Sequence, residues 1–324
     1  MELSYAGRET VQLRPGTADT SVSVSGVVHP RKPVPLAYPA HQAPAIALKI
    51  LRPEWFDGTA LCVGAAMPDL AFPFGSWLAH HSHSALGLVV WALPVTTVVC
   101  AVLRWRAAAG IFAQLPDAGP LRLRSLRVIG TKRPSVGITM WSGALGAVSH
   151  IVIDAFTHST RWGAEWLGID DVLGHWPFLG EYTVAGLLQY AGHTAGSVAA
   201  ILLLIYIARR RLLERWYGQR LVDAVRRVDV TPTDRLRFWS AFGITVGIPV
   251  VAAHVLEREP LFVAVAMTVA GLVLAGSLAG EDLRHVERHV TDVPARDGRS
   301  PGRRAPEFAA PEANPALAEH RRGA

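Results

Sequence analysis

The chain has 324 residues, 50% of them hydrophobic and 18% charged, against roughly one quarter charged in soluble globular domains. That balance argues against a soluble enzyme and for lipid-facing surface. The net charge of +6 fits either a nucleic-acid partner or the basic cytoplasmic loops of a membrane protein, so the placement of Lys and Arg decides.

Residues 1–35 contain Arg8 and Arg14 but no long apolar run, which is not the pattern of a secretory signal peptide. Rich in Ser, Thr, Val, Gly and Pro, they read as a disordered tail. Residues 41–51, headed by His41, are apolar but too short to cross about 30 Å of hydrocarbon and stop at Arg52-Pro53. A short helix lying at or dipping into the membrane is expected there. Residues 59–77 are apolar too, but Pro68, Asp69 and Pro73 interrupt them. Proline removes a backbone donor and clashes with the preceding turn, so the spacing predicts a broken or re-entrant helix, covered by protein or water.

Residues 84–103, 136–156, 184–208 and 236–256 are apolar runs of spanning length, and 261–279 is just long enough. The fold class is therefore all-α: a polytopic transmembrane helix bundle of about five spans plus the broken N-terminal segment, forming one domain over 36–280. Residues 281–324 turn polar and rich in Arg, Pro and Ala without a period, and read as a second disordered tail. Cys62 and Cys100 lie in apolar stretches with no metal or disulfide spacing, and are assigned to packing.

The loops set the orientation. Residues 104–133 carry Arg104, Arg106, Arg122, Arg124, Arg127, Lys132 and Arg133, and residues 209–237 are more basic still. Both belong on the cytoplasmic side. Residues 157–183 have Arg161 as their one basic side chain against Glu165, Asp170, Asp171 and Glu181, and belong outside. The charge excess thus follows from topology: membrane lipids are the partners and no nucleic acid is needed. The protein is expected to be multi-pass with a cytoplasmic C-terminus. His83, His150, Asp154 and His193 then gather toward the non-cytoplasmic side.

His150, Asp154 and, if the helix continues, His158 stand at successive i, i+4 positions on one helix face. An imidazole and a carboxylate one turn apart can share a metal ion, or the carboxylate can fix the tautomer of the histidine. An intramembrane carboxylate is costly and is by default a functional candidate, although Asp154 bonded to His150 as structural glue satisfies the same pattern. In the run His80-His81-Ser82-His83-Ser84 a serine is a good N-cap, and His83 is the histidine expected to act, with His80 and His81 interfacial. Asp69 is either a site carboxylate or a turn residue. His193 can join the cluster or bond a neighbouring backbone, and His175 and His254 read as interfacial. Gly143, Ala144, Gly146 and Ala147 allow the His150 helix to pack closely on its neighbours. Phosphate-binding loops, nucleophile elbows, His-Glu-x-x-His and dinucleotide fingerprints are absent from the sequence.

Ala65-Ala66-Met67-Pro68-Asp69, then His83-Ser84-x-x-Gly87, then Gly146-x-x-Ser149-His150-x-x-x-Asp154-x-x-Thr157-His158 come in a characteristic order. They resemble the bacterial membrane proteins of domain of unknown function family 4184. That group is more distantly similar to membrane-bound metal-dependent hydrolases whose expression is tied to the DNA-damage repressor. The resemblance covers residues 38–279. The family's Ser-His-Pro opening falls on Ala40-His41-Gln42, where only His41 matches. Pro68-Asp69, His83-Ser84 and His150 with Asp154 match directly. The later Gln-His pair keeps Gln189 but has Tyr190 in the histidine position, so that either His193 is a local replacement or the position is dispensable.

Two functional readings follow. In the first, His41, Asp69, His83, His150 and Asp154 hold a divalent metal, zinc for a mixed His and Asp set, which lowers the pKa of a bound water toward about 7. Asp69 or Asp154 then serves as the catalytic base in hydrolysis of a lipid or lipid-linked phosphoester or ester. His158 and His193 are possible additions. In the second, the same residues form the polar core of a non-enzymatic transporter or scaffold. A purely structural histidine set is the third alternative.

Overall fold

The computed structural model describes residues 39–118, 121–176, 180–256 and 260–280, so the two expected tails, 1–35 and 281–324, lie outside the described residues. Helix α1 (Gln42–Leu51) starts at His41. The chain then reverses into α2 (Gly58–Gly64), capped by Asp57, whose carboxylate accepts from the Thr59 and Ala60 amides. The expected break follows: α2 stops at Gly64, and Pro68 sits in the first turn of α3 (Met67–Leu70). There its missing N–H costs nothing. One 3-10 turn, Phe72–Phe74, leads to α4 (Ser76–His81).

Among the described residues, four helices are long and apolar enough to cross a membrane. The first two are α5 (Ala85–Ala113) and α6 (Val136–Thr157). Beyond short α7 (Trp162–Leu167) comes the third, α8 (Val184–Arg209), and after short α9 (Leu212–Tyr217) and α10 (Gln219–Arg226) the fourth, α11 (Pro232–Val255). Helix α12 (Pro260–Ala279) packs along α11. The starts are written in side chains. Ser84, Ser135 and Thr183 each cap a helix by accepting a backbone N–H, and Thr231 with Asp234 forms a capping box ahead of Pro232.

Helix α5 runs past the expected boundary at residue 103. Arg104 reads as a loop residue, but its guanidinium is buried and donates to the Asp57 carboxylate and to Thr139 Oγ1, so the helix continues through it. Two widened π-type turns, Leu88–Ala92 and Leu103–Ala107, interrupt the helix. The first lies where Pro94 has no N–H to offer the carbonyl one turn back.

Close packing positions the broken segment. A Cβ on Gly64 would lie 2.2 Å from the Gly143 carbonyl oxygen, and one on Gly146 would lie 2.2 Å from that of Leu61. Helices α2 and α6 therefore touch backbone to backbone, the use expected for the small residues of α6.

The two Arg-rich segments meet at one end of the bundle. Arg122, in the ribbon of β1 (Asp117–Ala118) and β2 (Leu121–Arg122), donates to Glu214 and Asp223 at 2.8 Å each, and Arg226 donates to Asp117 at 2.7 Å. Helix α6 runs away from that end. At its far end lie His150 and Asp154, followed by α7 and a second antiparallel ribbon, β3 (Val172–Trp176) with β4 (Gly180–Thr183). Both ribbons are additions to the all-α expectation.

Candidate metal centre

Four of the expected residues converge. One donor atom each from Asp69, His83, His150 and Asp154 fall within 4.8 Å of one another. The elements explain why. His150 and Asp154 share the buried face of α6, the proline break carries Asp69 on α3, and His83 stands just ahead of α5. His83 Nε2 is 3.5 Å from Asp69 Oδ1 and 3.3 Å from Asp154 Oδ2, while His150 Nε2 is 3.4 and 3.2 Å from the same two atoms.

The tautomers follow from the hydrogen bonds around them. His150 Nδ1 lies 2.8 Å from the Ala65 carbonyl oxygen, which can only accept, so Nδ1 carries the proton. Ser82 Oγ donates to the Ala79 carbonyl at 3.1 Å, which leaves it to accept from His83 Nδ1 at 2.9 Å. Both rings therefore spend their Nδ1–H outward and turn Nε2 toward two carboxylates. This is the arrangement by which outer partners orient metal-bound histidines. The four N···O separations exceed the 2.7–2.9 Å usual for a charge-assisted hydrogen bond. They match instead the edge of a tetrahedron, about 3.3 Å, that bonds of about 2.0–2.1 Å to a central ion produce. The donor set thus fits a divalent cation.

His41 stands beside the quartet. Helix α1 packs on α8, where Gly196 admits Ala40: a Cβ there would meet that of Ala40 at 3.0 Å. The His41 ring stacks on His150 with centroids 3.9 Å apart, and its Nε2 is 3.4 Å from Asp154 Oδ1. Burial, with His150 alongside, pushes the His41 imidazole below its ordinary pKa despite Asp154 and Asp69. His193 meets His41 edge to face at 5.6 Å. Helix α6 ends at Thr157, so His158 is an extended C-cap residue and not a third helical position, yet its Nδ1 still reaches to 3.7 Å from Asp154 Oδ1. His80, His175 and His254 are exposed, and His81 stacks on Trp77.

Five buried side-chain atoms without hydrogen-bond partners meet here: His41 Nδ1 and Nε2, His150 Nε2, Asp154 Oδ1 and His193 Nδ1. Each such atom costs about 1–3 kcal/mol if left alone, which makes the cluster a ligand site in waiting. Sequence reading missed the parts that aim it: Ser82, taken only for a cap, the Ala65 carbonyl, and Trp91, whose Nε1 donates to the Met67 carbonyl at 2.8 Å and steadies α3. The serine immediately before His83 was the one available signal. Ser82→Ala is expected to weaken divalent-metal affinity about 10–100-fold while leaving helix content unchanged, as isothermal titration and circular dichroism can measure. An unchanged affinity removes Ser82 from the site.

No curated protein and no solved structure matches the chain. The profile of the family described as Domain of unknown function (DUF4184) matches residues 33–280, well over half of the chain, and the chain belongs to that family.

Proposed function

We propose that this is a divalent-metal-dependent hydrolase of a bacterial cytoplasmic membrane, acting on a lipid or lipid-linked ester or phosphoester at the non-cytoplasmic face. The observation that carries the reading is convergence: with the Nδ1–H of both rings spent outward, His83 Nε2 and His150 Nε2 meet the Asp69 and Asp154 carboxylates, four possible ligand atoms within 4.8 Å of one another. Mixed nitrogen and oxygen ligands favour zinc. A cation held there supplies Lewis acidity and makes a bound water acidic near neutral pH. The chain's own residues divide the remaining work. The Asp154 side chain is 5% exposed and faces histidines on both sides, so it holds the centre. Asp69 is 20% exposed, which makes it the carboxylate that water reaches and the base that takes its proton.

The lipid assignment draws on the surface beside the site. Phe74 and Trp77, on the segment that joins Asp69 to His83, are more than half exposed, and Phe74 packs on Trp91. Aromatic side chains at such a position suit a membrane–water interface. The Arg-rich opposite end of the bundle supports a cytoplasmic C-terminus by the positive-inside rule. The detergent-purified protein is expected to carry near-stoichiometric metal and to hydrolyse a lipid phosphoester or ester in mixed micelles. That activity should vanish with chelator and return with zinc. Protein free of metal by elemental analysis, or activity indifferent to chelation, overturns the assignment.

A further inference from the structure

The Arg-rich end of the bundle holds a cleft of about 400 Å3 between the end of α1, the turn that follows it, the start of α6 and α9. Four cationic side chains line it, Lys49, Lys132, Arg133 and Arg215, against one carboxylate, Glu54. Nearby, Arg122 is neutralised by Glu214 and Asp223, and Arg226 by Asp117. Among the described residues no ion pair engages any of the four cleft cations. A basic loop of a membrane protein needs only its charge; gathering unpaired cations into one concave site is a separate feature.

Aromatic rings hold three of these cations in place without cancelling their charge. Lys49 Nζ lies 5.2 Å from the centre of the Trp216 ring, Lys132 Nζ 5.4 Å from that of Tyr217, and the Arg133 guanidinium carbon 5.7 Å from that of Trp105. Lys49 also donates to the Pro53 and Phe56 carbonyls at 2.5 and 2.8 Å, and Lys132 to the Trp216 carbonyl at 3.4 Å. Side chains fixed in this way lose little further freedom when an anion arrives. The N-terminus of α6 adds partial positive charge, because Pro134 and Ile138, on either side of Val136 where that helix begins, both line the cleft.

One wall of the cleft is apolar. Ile138 belongs to a helix of spanning length, and Trp141, three residues on along the same face, is exposed. Leu51 and Trp55, on either side of Pro53, are exposed as well. The cationic groups therefore pass directly into lipid-facing surface, which a free anion does not need and a phospholipid does. We propose that this cleft binds the phosphate headgroup of an anionic phospholipid in the leaflet at the Arg-rich end, with an acyl chain laid along Ile138 and Trp141. Basic pockets between helices at the membrane surface suit such headgroups. The site stands apart from the metal centre, which lies toward the other end of α6.

The test uses the full chain, delipidated in a neutral detergent and offered equal amounts of phosphatidylglycerol and phosphatidylcholine, with bound lipid counted by native mass spectrometry. The wild type is expected to retain one phosphatidylglycerol and no phosphatidylcholine, and inorganic phosphate should displace it no better than chloride at the same ionic strength. The double variant Lys132→Gln with Arg133→Gln should bind phosphatidylglycerol about 10-fold more weakly or worse. Arg209→Gln with Arg210→Gln removes the same charge at the same end, outside the cleft, and should bind as the wild type does. All four side chains are exposed, so both variants keep the fold. Equal retention of phosphatidylcholine, a cleft variant that matches the wild type, or a control variant that loses as much overturns the site. Displacement by inorganic phosphate beyond that by chloride overturns the lipid in favour of a free phosphate.

Discussion

His150→Ala and Asp154→Ala are expected to lose bound metal entirely while keeping the helix content and detergent solubility of the wild type. His150 is one of the largest fully buried side chains, and its Nε2 is a shared corner of the quartet. Asp154 touches four histidines, so its removal dissolves the quartet and the contact with His41 together. A centre that contributes several kcal/mol of transition-state stabilisation implies a fall in hydrolysis of about 1000-fold or more. Asp154→Asn sharpens the comparison, because it keeps the shape of the side chain and removes its charge. Metal content by elemental analysis and turnover of a lipid phosphoester check the expectation. A variant that retains stoichiometric metal places the ligands elsewhere, and one that unfolds in detergent assigns these residues to the packing of the bundle.

The site was legible because hydrocarbon makes ionisable residues conspicuous. His150 and Asp154 stand out in an otherwise apolar helix, and their spacing fixes a shared face whatever the rest of the fold does. Asp69 was only half legible: the break at Pro68 left it as either a site carboxylate or a turn residue, and the resemblance of Pro68-Asp69 to the family motif was what favoured the first. The boundary of α5 was not legible. Arg104 looks like every other arginine of a basic loop, and only its partner, 47 positions earlier in sequence, distinguishes it. No period or motif joins two residues that far apart. The depth of His41 was hidden for a related reason: it depends on Gly196 admitting Ala40, a fit between two helices that neither sequence segment encodes alone. The proton positions on His83 and His150 depend on the Ser82 hydroxyl and the Ala65 carbonyl. Backbone groups carry no sequence signature, so that layer emerges only from coordinates.

Arg104 and Asp57 form another buried polar cluster, toward the opposite end of α6 from the quartet, and their removal one at a time is expected to be costlier than their removal together. The Asp57 carboxylate accepts from the Arg104 guanidinium, from Thr139 Oγ1 at 2.9 Å and from the Thr59 and Ala60 amides, while the Asp57 amide donates to Ser142 Oγ at 2.9 Å. One carboxylate thus ties α2, α5 and α6 into one unit. Arg104→Met strands a buried carboxylate, and Asp57→Asn strands a buried guanidinium. Breaking such a pair from one side costs about 3–5 kcal/mol. Asparagine is also a competent N-cap, so the second variant tests the charge and not the cap of α2. The double variant strands neither charge and should recover most of the loss, a coupling that a double-mutant cycle in detergent unfolding measures directly. Single variants within about 0.5 kcal/mol of wild type would mean that water reaches the pair. Because α2 delivers the Ala65 carbonyl to His150, the single variants should also weaken metal binding from the far end of the bundle, and the double variant should restore it. Affinity that follows stability across all three variants identifies the ion pair as the support that holds the broken helix, and through it the quartet, in place.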